Sequence, residues 1–244
     1  MQSIDANPFF CSWSGGKDSC LALYCAIRQG GKPRCLLTML DKTGTRSHSH
    51  RLPKSLIEQQ AERLGLPVIF RSATWNEYES EFISALLEMK NRNIHAGVFG
   101  DIDVESHRDW VLRVCAAASV VPYHPLWQRN RRELLEKFIR LNFKSMIVVV
   151  KDGQLDKSFI GRNIDELTIA DLEEAGIDPS GELGEYHTVV IDGPIFSSEI
   201  RVREKDRIVH DGYWFLDLDS EKDPAVKSLA ADTVCRTAGP YHNP

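Results

Sequence analysis

No apolar run in this chain of 244 residues approaches the roughly 20 residues that a membrane-crossing helix needs. Met1 to Pro8 also lack the basic-then-apolar pattern of a secretory signal. A cytoplasmic protein with no membrane partner is therefore expected. Positive charge is in short supply too: 30 Lys and Arg stand against 35 Asp and Glu, a formal net charge of -5. Nothing in that balance calls for direct contact with nucleic acid, although a local basic patch stays open. The six cysteines, at positions 11, 20, 25, 35, 115 and 235, contain no Cys-x-x-Cys pair. They lie mostly in apolar segments, which points to buried reduced thiols rather than disulfides or zinc ligands. Internal repeats are absent as well.

What is present is an ordinary globular composition, 42% hydrophobic and 27% charged, long enough to bury a real core. Phe9, Phe10, Cys11 and Trp13 read as a short buried strand, and Leu21, Ala22, Tyr24, Cys25 and Ile27 give an apolar helical face. Between them lies Ser14-Gly15-Gly16-Lys17-Asp18-Ser19, a strand-to-helix turn. Two glycines let the backbone approach an anion, and the first helical amides with the helix dipole favour negative charge there. Lys17 supplies a point charge, and Ser14 and Ser19 supply hydroxyl donors.

The pattern goes on alternating. Arg34 to Leu40 reads as a second strand, Asp41 to Pro53 as a polar loop carrying His48 and His50, Pro53 to Leu64 as a helix closed by Gly65, and Val68 to Phe70 as a third strand. Glu77 to Asn91 is a helix and His95 to Gly100 a fourth strand that delivers Asp101 and Asp103. A helix over Glu105 to Ala118, a proline-punctuated connection over Tyr123 to Trp127 and a helix over Glu133 to Leu141 follow. Ser145 to Val150 reads as a central strand. The expected class is α/β, a doubly wound parallel sheet with ligands at the carboxyl ends of its strands. From Lys151 the chain becomes charged and glycine-punctuated, with a helix near Ile164 to Ala175, a strand over His187 to Ile191 and a hairpin within Ser198 to Asp217. The expected division is 1–150 for the nucleotide-binding domain, 151–219 for a smaller, partly antiparallel domain, and 220–244 for a loosely held tail.

The loop is not a Walker motif, because its glycines are adjacent and Asp18 follows the lysine. Ser-Gly-Gly-x-Asp-Ser instead resembles the pyrophosphate loop of the N-type ATP pyrophosphatases, of adenine nucleotide alpha-hydrolase fold. The missing Cys-x-x-Cys counts against the tRNA-thiolating branch of those enzymes. A second constellation, Gly181 to Phe196, packs Glu182, Gly184, Glu185, Tyr186, His187 and Thr188 around a glycine turn. By physics alone this is equally a solvated loop entering a strand. Its pattern is similar to the Gly-Glu-x-Gly-Glu-Tyr/Phe-x-Thr signature of the diphthine-ammonia ligase family, which also carries the Ser-Gly-Gly-Lys-Asp-Ser loop. Gln60 to Gly65, Gly100-Asp101-Ile102 with His107-Arg108, and Pro125-Leu126-Trp127 continue the likeness, which spans about 9–200.

That resemblance implies a ligase using ATP and Mg2+ to amidate a carboxylate with ammonium, releasing AMP and pyrophosphate. The acceptor implied is diphthine on translation elongation factor 2. The short architecture also occurs in bacteria, which lack that pathway, so an unknown carboxylate acceptor stays open, as do a non-catalytic nucleotide-binding module and a homodimer. Free ammonium is the expected nitrogen source, since neither an N-terminal cysteine nucleophile nor spare length for a glutaminase is evident. Lys17, Ser14, Ser19, Gly15 and Gly16 are expected to hold the phosphates, with Gly100 at the neighbouring strand end. Asp18 and Asp101 are candidate magnesium ligands, unless they serve as a helix N-terminal charge and a turn former. Backbone groups of Thr38, Met39 and Leu40 are candidate adenine contacts. Glu182, Gly184, Glu185, Tyr186, His187 and Thr188 would line the acceptor side, with Glu185 and His187 catalytic and His187 a base if its pKa sits near neutrality. His50 and His107 are lesser candidates.

Overall fold

The computed structural model describes residues 4–220. Its first unit alternates as expected: β1 (Pro8–Ser12), α1 (Lys17–Arg28), β2 (Lys32–Leu40), α2 (Lys54–Leu64), β3 (Val68–Ser72), α3 (Tyr78–Asn91), β4 (Ala96–Val98), α4 (Glu105–Ala118) and β5 (Val121–Tyr123). These strands form one parallel sheet in the order β3-β2-β1-β4-β5. Helices cover both faces. Leu21, Leu23, Leu56 and Ile57 pack with Phe9 and Leu36 on one side, while Phe82, Leu86, Val111 and Val114 pack with Phe10 and Leu37 on the other. That double burial is why β1 and β2 are near-continuous apolar runs rather than alternating ones. The strand order reverses between β1 and β4, so the crevice at their carboxyl ends is the topological switch point where such sheets bind ligands.

β5 differs from expectation. Only three residues long and containing Pro122, it overlaps the expected connection at Tyr123 and otherwise falls in no expected element, yet it pairs with β4 at the sheet edge. An edge strand tolerates a residue that cannot donate to the ladder.

The second unit holds α5 (Arg131–Arg140), β6 (Lys144–Lys151), a 3-10 turn (Lys157–Phe159), α6 (Glu166–Glu174), β7 (Tyr186–Asp192), β8 (Val202–His210) and β9 (Tyr213–Ser220). Its antiparallel sheet runs β7-β6-β9-β8. The expected hairpin is β8-β9, turned by Asp211 and Gly212, both at positive φ, the conformation that two-residue hairpin loops require. β6 is a central strand, but of this second sheet, so sheet membership begins before residue 150. The expected tail beyond Ser220, with Cys235, lies outside the described residues. The other five cysteines are free and buried.

Candidate active site

The turn after β1 is built to be rigid. Gly15 sits at φ +85°, and a Cβ there would lie 2.6 Å from the Leu52 side chain. Gly16 N donates to Ser14 Oγ at 3.3 Å, Ser14 and Ser19 share a hydroxyl contact of 3.1 Å, and Ser19 Oγ donates to the Gly16 carbonyl. The fully buried Gln60 of α2 accepts from the Trp13 indole at 2.9 Å and donates to the carbonyls of Gly15, at 2.9 Å, and Val190, at 2.7 Å. Val190 N in turn donates to the Gly15 carbonyl at 2.9 Å. One side chain and one backbone bond thus lock the turn to β7 of the second sheet.

The second constellation therefore lands on the first. Lys17 N donates to Thr188 Oγ1 at 3.1 Å, across 171 residues of sequence, so this first helical amide is already satisfied rather than pointing outward. His50 Nδ1 lies 2.8 Å from the Thr188 carbonyl, and its ring stacks on His187 with centroids 4.6 Å apart. Lys17 Nζ donates to the Ser180 carbonyl and pairs with Asp18 at 2.8 Å, beneath the Tyr186 ring. Burial opposes the charge on Lys17, but Asp18, Tyr186 and Glu182 more than offset it and hold the ammonium above its ordinary range. Glu182 is pushed up to about 8, chiefly by burial, with the charge of Asp18 adding and Lys17 and Arg131 opposing. Burial thus favours its protonated form.

Asp101 stands at the end of β4, where Gly100 admits α1: a Cβ on Gly100 would lie 2.8 Å from Ser19 N and 2.9 Å from the Asp18 carbonyl carbon. Burial raises the Asp101 carboxyl, His107 opposes that, and the Asp18 charge adds to it. His107 Nδ1 is 3.9 Å and His124 Nε2 3.6 Å from its oxygens. Among the described residues no three or more His, Cys, Asp and Glu side chains converge as a metal cage. A neighbouring pair of carboxylates nevertheless fits Mg2+, which is commonly held by one or two carboxylates together with substrate phosphates.

The remaining expected residues lie around this centre. Thr38 is buried with its hydroxyl on the Trp13 carbonyl, the Met39 carbonyl accepts from His48 N, and the Leu40 carbonyl accepts from Ala73 N. The Met39 and Leu40 carbonyls thus each carry one hydrogen bond and keep a second lone pair. Burial, then the charges of His50 and Lys17, drive His187 well below its usual pKa. That direction favours the neutral imidazole. Glu185 is buried and accepts from Leu183 N at 3.1 Å within the turn that contains Gly184. Tyr186 is buried with its hydroxyl on the Pro179 carbonyl. Sequence reasoning gave no role to Arg131, whose guanidinium clamps Asp103 through Nε at 2.7 Å and also reaches Asp178. Asp178 caps its own turn through Ser180, which is how the Ser180 carbonyl comes to face Lys17. The flanking Asp-x-Asp and Asp-Pro-Ser-Gly patterns were the available signals.

A wide groove at the far end of α1, lined by Cys25, Gln29, Arg129, Glu133, Lys137 and Arg140, contains none of these groups.

Comparison with known proteins agrees with the geometry. The diphthamide synthase N-terminal domain matches residues 9–122 and the diphthamide synthase C-terminal domain residues 130–223. Diphthine-ammonia ligase of Bos taurus is 26% identical over 267 residues, covering 94% of this chain and 97% of its own. The Mus musculus and Homo sapiens proteins of that name are each 27% identical over 226 residues, covering 81% of this chain and 83% of theirs. A solved structure of a tRNA methyltransferase subunit from Methanocaldococcus jannaschii aligns with a TM-score of 0.41 at 16% identity, over 77% of this chain and 98% of that one, too slight a likeness to carry weight. Because both halves of one signature are matched in order, and the loop and the turn that carry it meet in space, the chain belongs to the diphthine-ammonia ligase family of ATP-dependent ligases.

Proposed function

We propose that this protein joins ammonia to a carboxylate at the expense of ATP, with Mg2+ held by Asp18 and Asp101 and with AMP and pyrophosphate as products. The observation that carries the proposal is the bond from Lys17 N to Thr188 Oγ1, which makes the phosphate-type loop and the Glu182 to Thr188 turn two walls of one site. A carboxylate does not react with ammonia near neutrality until one oxygen becomes a good leaving group. An acceptor oxygen bonds to the α-phosphorus as the bond to the β-phosphate oxygen breaks, and ammonia nitrogen then bonds to the carboxyl carbon as AMP departs. Lys17 and the hydroxyls of Ser14 and Ser19 face the charge that builds on the departing pyrophosphate. Bound Mg2+ supplies charge neutralisation at the phosphates. Glu182, ionised above about pH 8, receives the proton that ammonium gives up. His50 and His187 form a neutral wall on the acceptor side.

The relatives' name points to diphthine as the acceptor, and a diphthine-bearing elongation factor 2 is the first to test. The experiment supplies ATP, Mg2+ and ammonium with that factor or a panel of small carboxylates, and measures AMP, pyrophosphate and amide together. ADP and phosphate as products would refute the α-phosphorus chemistry. Turnover only on a small carboxylate would replace the acceptor and leave the chemistry standing.

A further inference from the structure

The ligase reading leaves the nucleotide base without a holder. Carbonyls at the end of β2, the natural edge for an adenine to meet, already accept from His48 N and Ala73 N. Just beyond β3, at the same carboxyl edge, stands Trp75, 71% exposed. A single exposed tryptophan means little by itself, but this one is fixed from behind. Its ring lies 4.5 Å from His48 and 5.7 Å from Tyr78, the latter stacked at 25°, and Tyr78 packs on Trp110 at 5.8 Å. His48 Nε2 is tied to the Ala73 carbonyl at 2.7 Å and Trp110 Nε1 to Glu79 at 3.0 Å. The ladder is therefore anchored at both ends and keeps one free aromatic face.

The ladder also reaches the nucleotide site. His48 N donates to the Met39 carbonyl at 3.1 Å, and β2, which ends there, pairs with β1, whose carboxyl end opens into the Ser14 to Ser19 turn. His48 belongs to the same loop as His50, which touches Thr188. Resting on the ligase reading above, we infer that Trp75 is the adenine platform: the base of ATP stacks on its open face while the phosphates lie at Ser14 to Ser19. A base lying on one aromatic face is held chiefly by stacking, which discriminates weakly among bases. The site should accordingly take GTP only somewhat less well than ATP.

The test compares Trp75→Ala and Trp75→Phe with the wild type, using ATP, AMP and inorganic pyrophosphate with Mg2+ as probes, and with thermal unfolding as a check on folding. Loss of one base-aromatic stack is worth roughly five- to a hundredfold in affinity. Trp75→Ala should weaken ATP and AMP by that factor, leave pyrophosphate unchanged, and be rescued largely by Trp75→Phe. Unchanged ATP and AMP affinity in Trp75→Ala overturns the platform and leaves the ligase reading intact. A rise confined to the acceptor's KM also overturns it, because the ring would then hold the acceptor. Wild-type protein that binds pyrophosphate but no adenine nucleotide refutes the ligase reading and the platform together.

Discussion

Gln60→Met offers the sharpest test of how the site is built. Methionine keeps the length and volume of the side chain, so packing is nearly preserved and three polar contacts are lost. The Trp13 indole N–H, buried, is left without this acceptor, at a cost of about 2 kcal/mol. The Gly15 carbonyl keeps its bond from Val190 N, so only about 1 kcal/mol is lost there, and about 1 kcal/mol more at the Val190 carbonyl. The sum, about 4 kcal/mol, corresponds to a fall in Tm of roughly 8 to 16 °C for a chain of this size. Because the Gly15 carbonyl and Trp13 flank the phosphate turn, ATP affinity should drop as well, on the order of tenfold for each 1.4 kcal/mol of lost positioning. Thermal unfolding by circular dichroism and nucleotide titration read both effects. A variant within about 3 °C of wild type, with unchanged ATP affinity, would show that Gln60 does not brace the turn against β7.

Three further substitutions probe the same geometry. Lys17→Ala should lower kcat by about a hundredfold to a thousandfold, the usual loss for one preorganised donor at a developing oxyanion, and unchanged pyrophosphate release with unchanged ATP affinity would refute the cradle. Gly100→Ala forces a methyl group against Ser19 N and the Asp18 backbone, so about 1 to 3 kcal/mol of stability and nucleotide affinity should fall together in calorimetry. Glu182→Gln should remove the rise in kcat/KM through about pH 8, measured against wild type at equal ammonium so that ammonium's own titration cancels. Since the folded-state pKa of Glu182 is raised from 4.5, its contribution to stability is present below pH 4.5 and lost as pH climbs through about 8. The Tm difference between wild type and Glu182→Gln should therefore move in the variant's favour between pH 5 and pH 9, and a constant difference would mean that the carboxyl is not desolvated.

Local pattern carried most of the fold. Helix and strand periods, the Gly65 cap and the strand-glycine-lysine-helix junction are properties of contiguous residues, and a doubly wound sheet follows from their alternation. β5 escaped because three residues with a proline have no period to read. β6 was legible as an aliphatic strand but not as a member of the second sheet, since an interior strand of either sheet has the same composition. The site was legible as two motifs, yet not as one surface: the pairing of Lys17 N with Thr188 Oγ1, or of Gln60 with Gly15 and Val190, depends on how distant segments pack. Trp75, Tyr78 and Trp110 went unremarked for the same reason, because they form a ladder only when α3 lies against α4. His187 shows the converse limit. Its motif marked the residue, while its proton affinity depends on burial that no motif records.

The charges gathered in the crevice lead to a last prediction. Asp18, Asp101 and Glu182 act on one another or on shared neighbours, and Lys17 is the cation most intimately among them. A nucleotide triphosphate brings several more negative charges into that space, so without a divalent cation its approach is opposed by the carboxylates that would bind the metal. ATP affinity should accordingly fall at least about tenfold when Mg2+ is removed by chelation, a loss of about 1.4 kcal/mol. Asp101→Asn removes one negative charge and one metal ligand at once. Metal-free ATP should bind the variant more tightly than it binds wild type, and Mg2+ should add less, so that the two titrations converge. If chelation leaves wild-type affinity unchanged, or if Asp101→Asn weakens ATP equally with and without Mg2+, the carboxylates are turn and helix-end charges and the metal is held elsewhere.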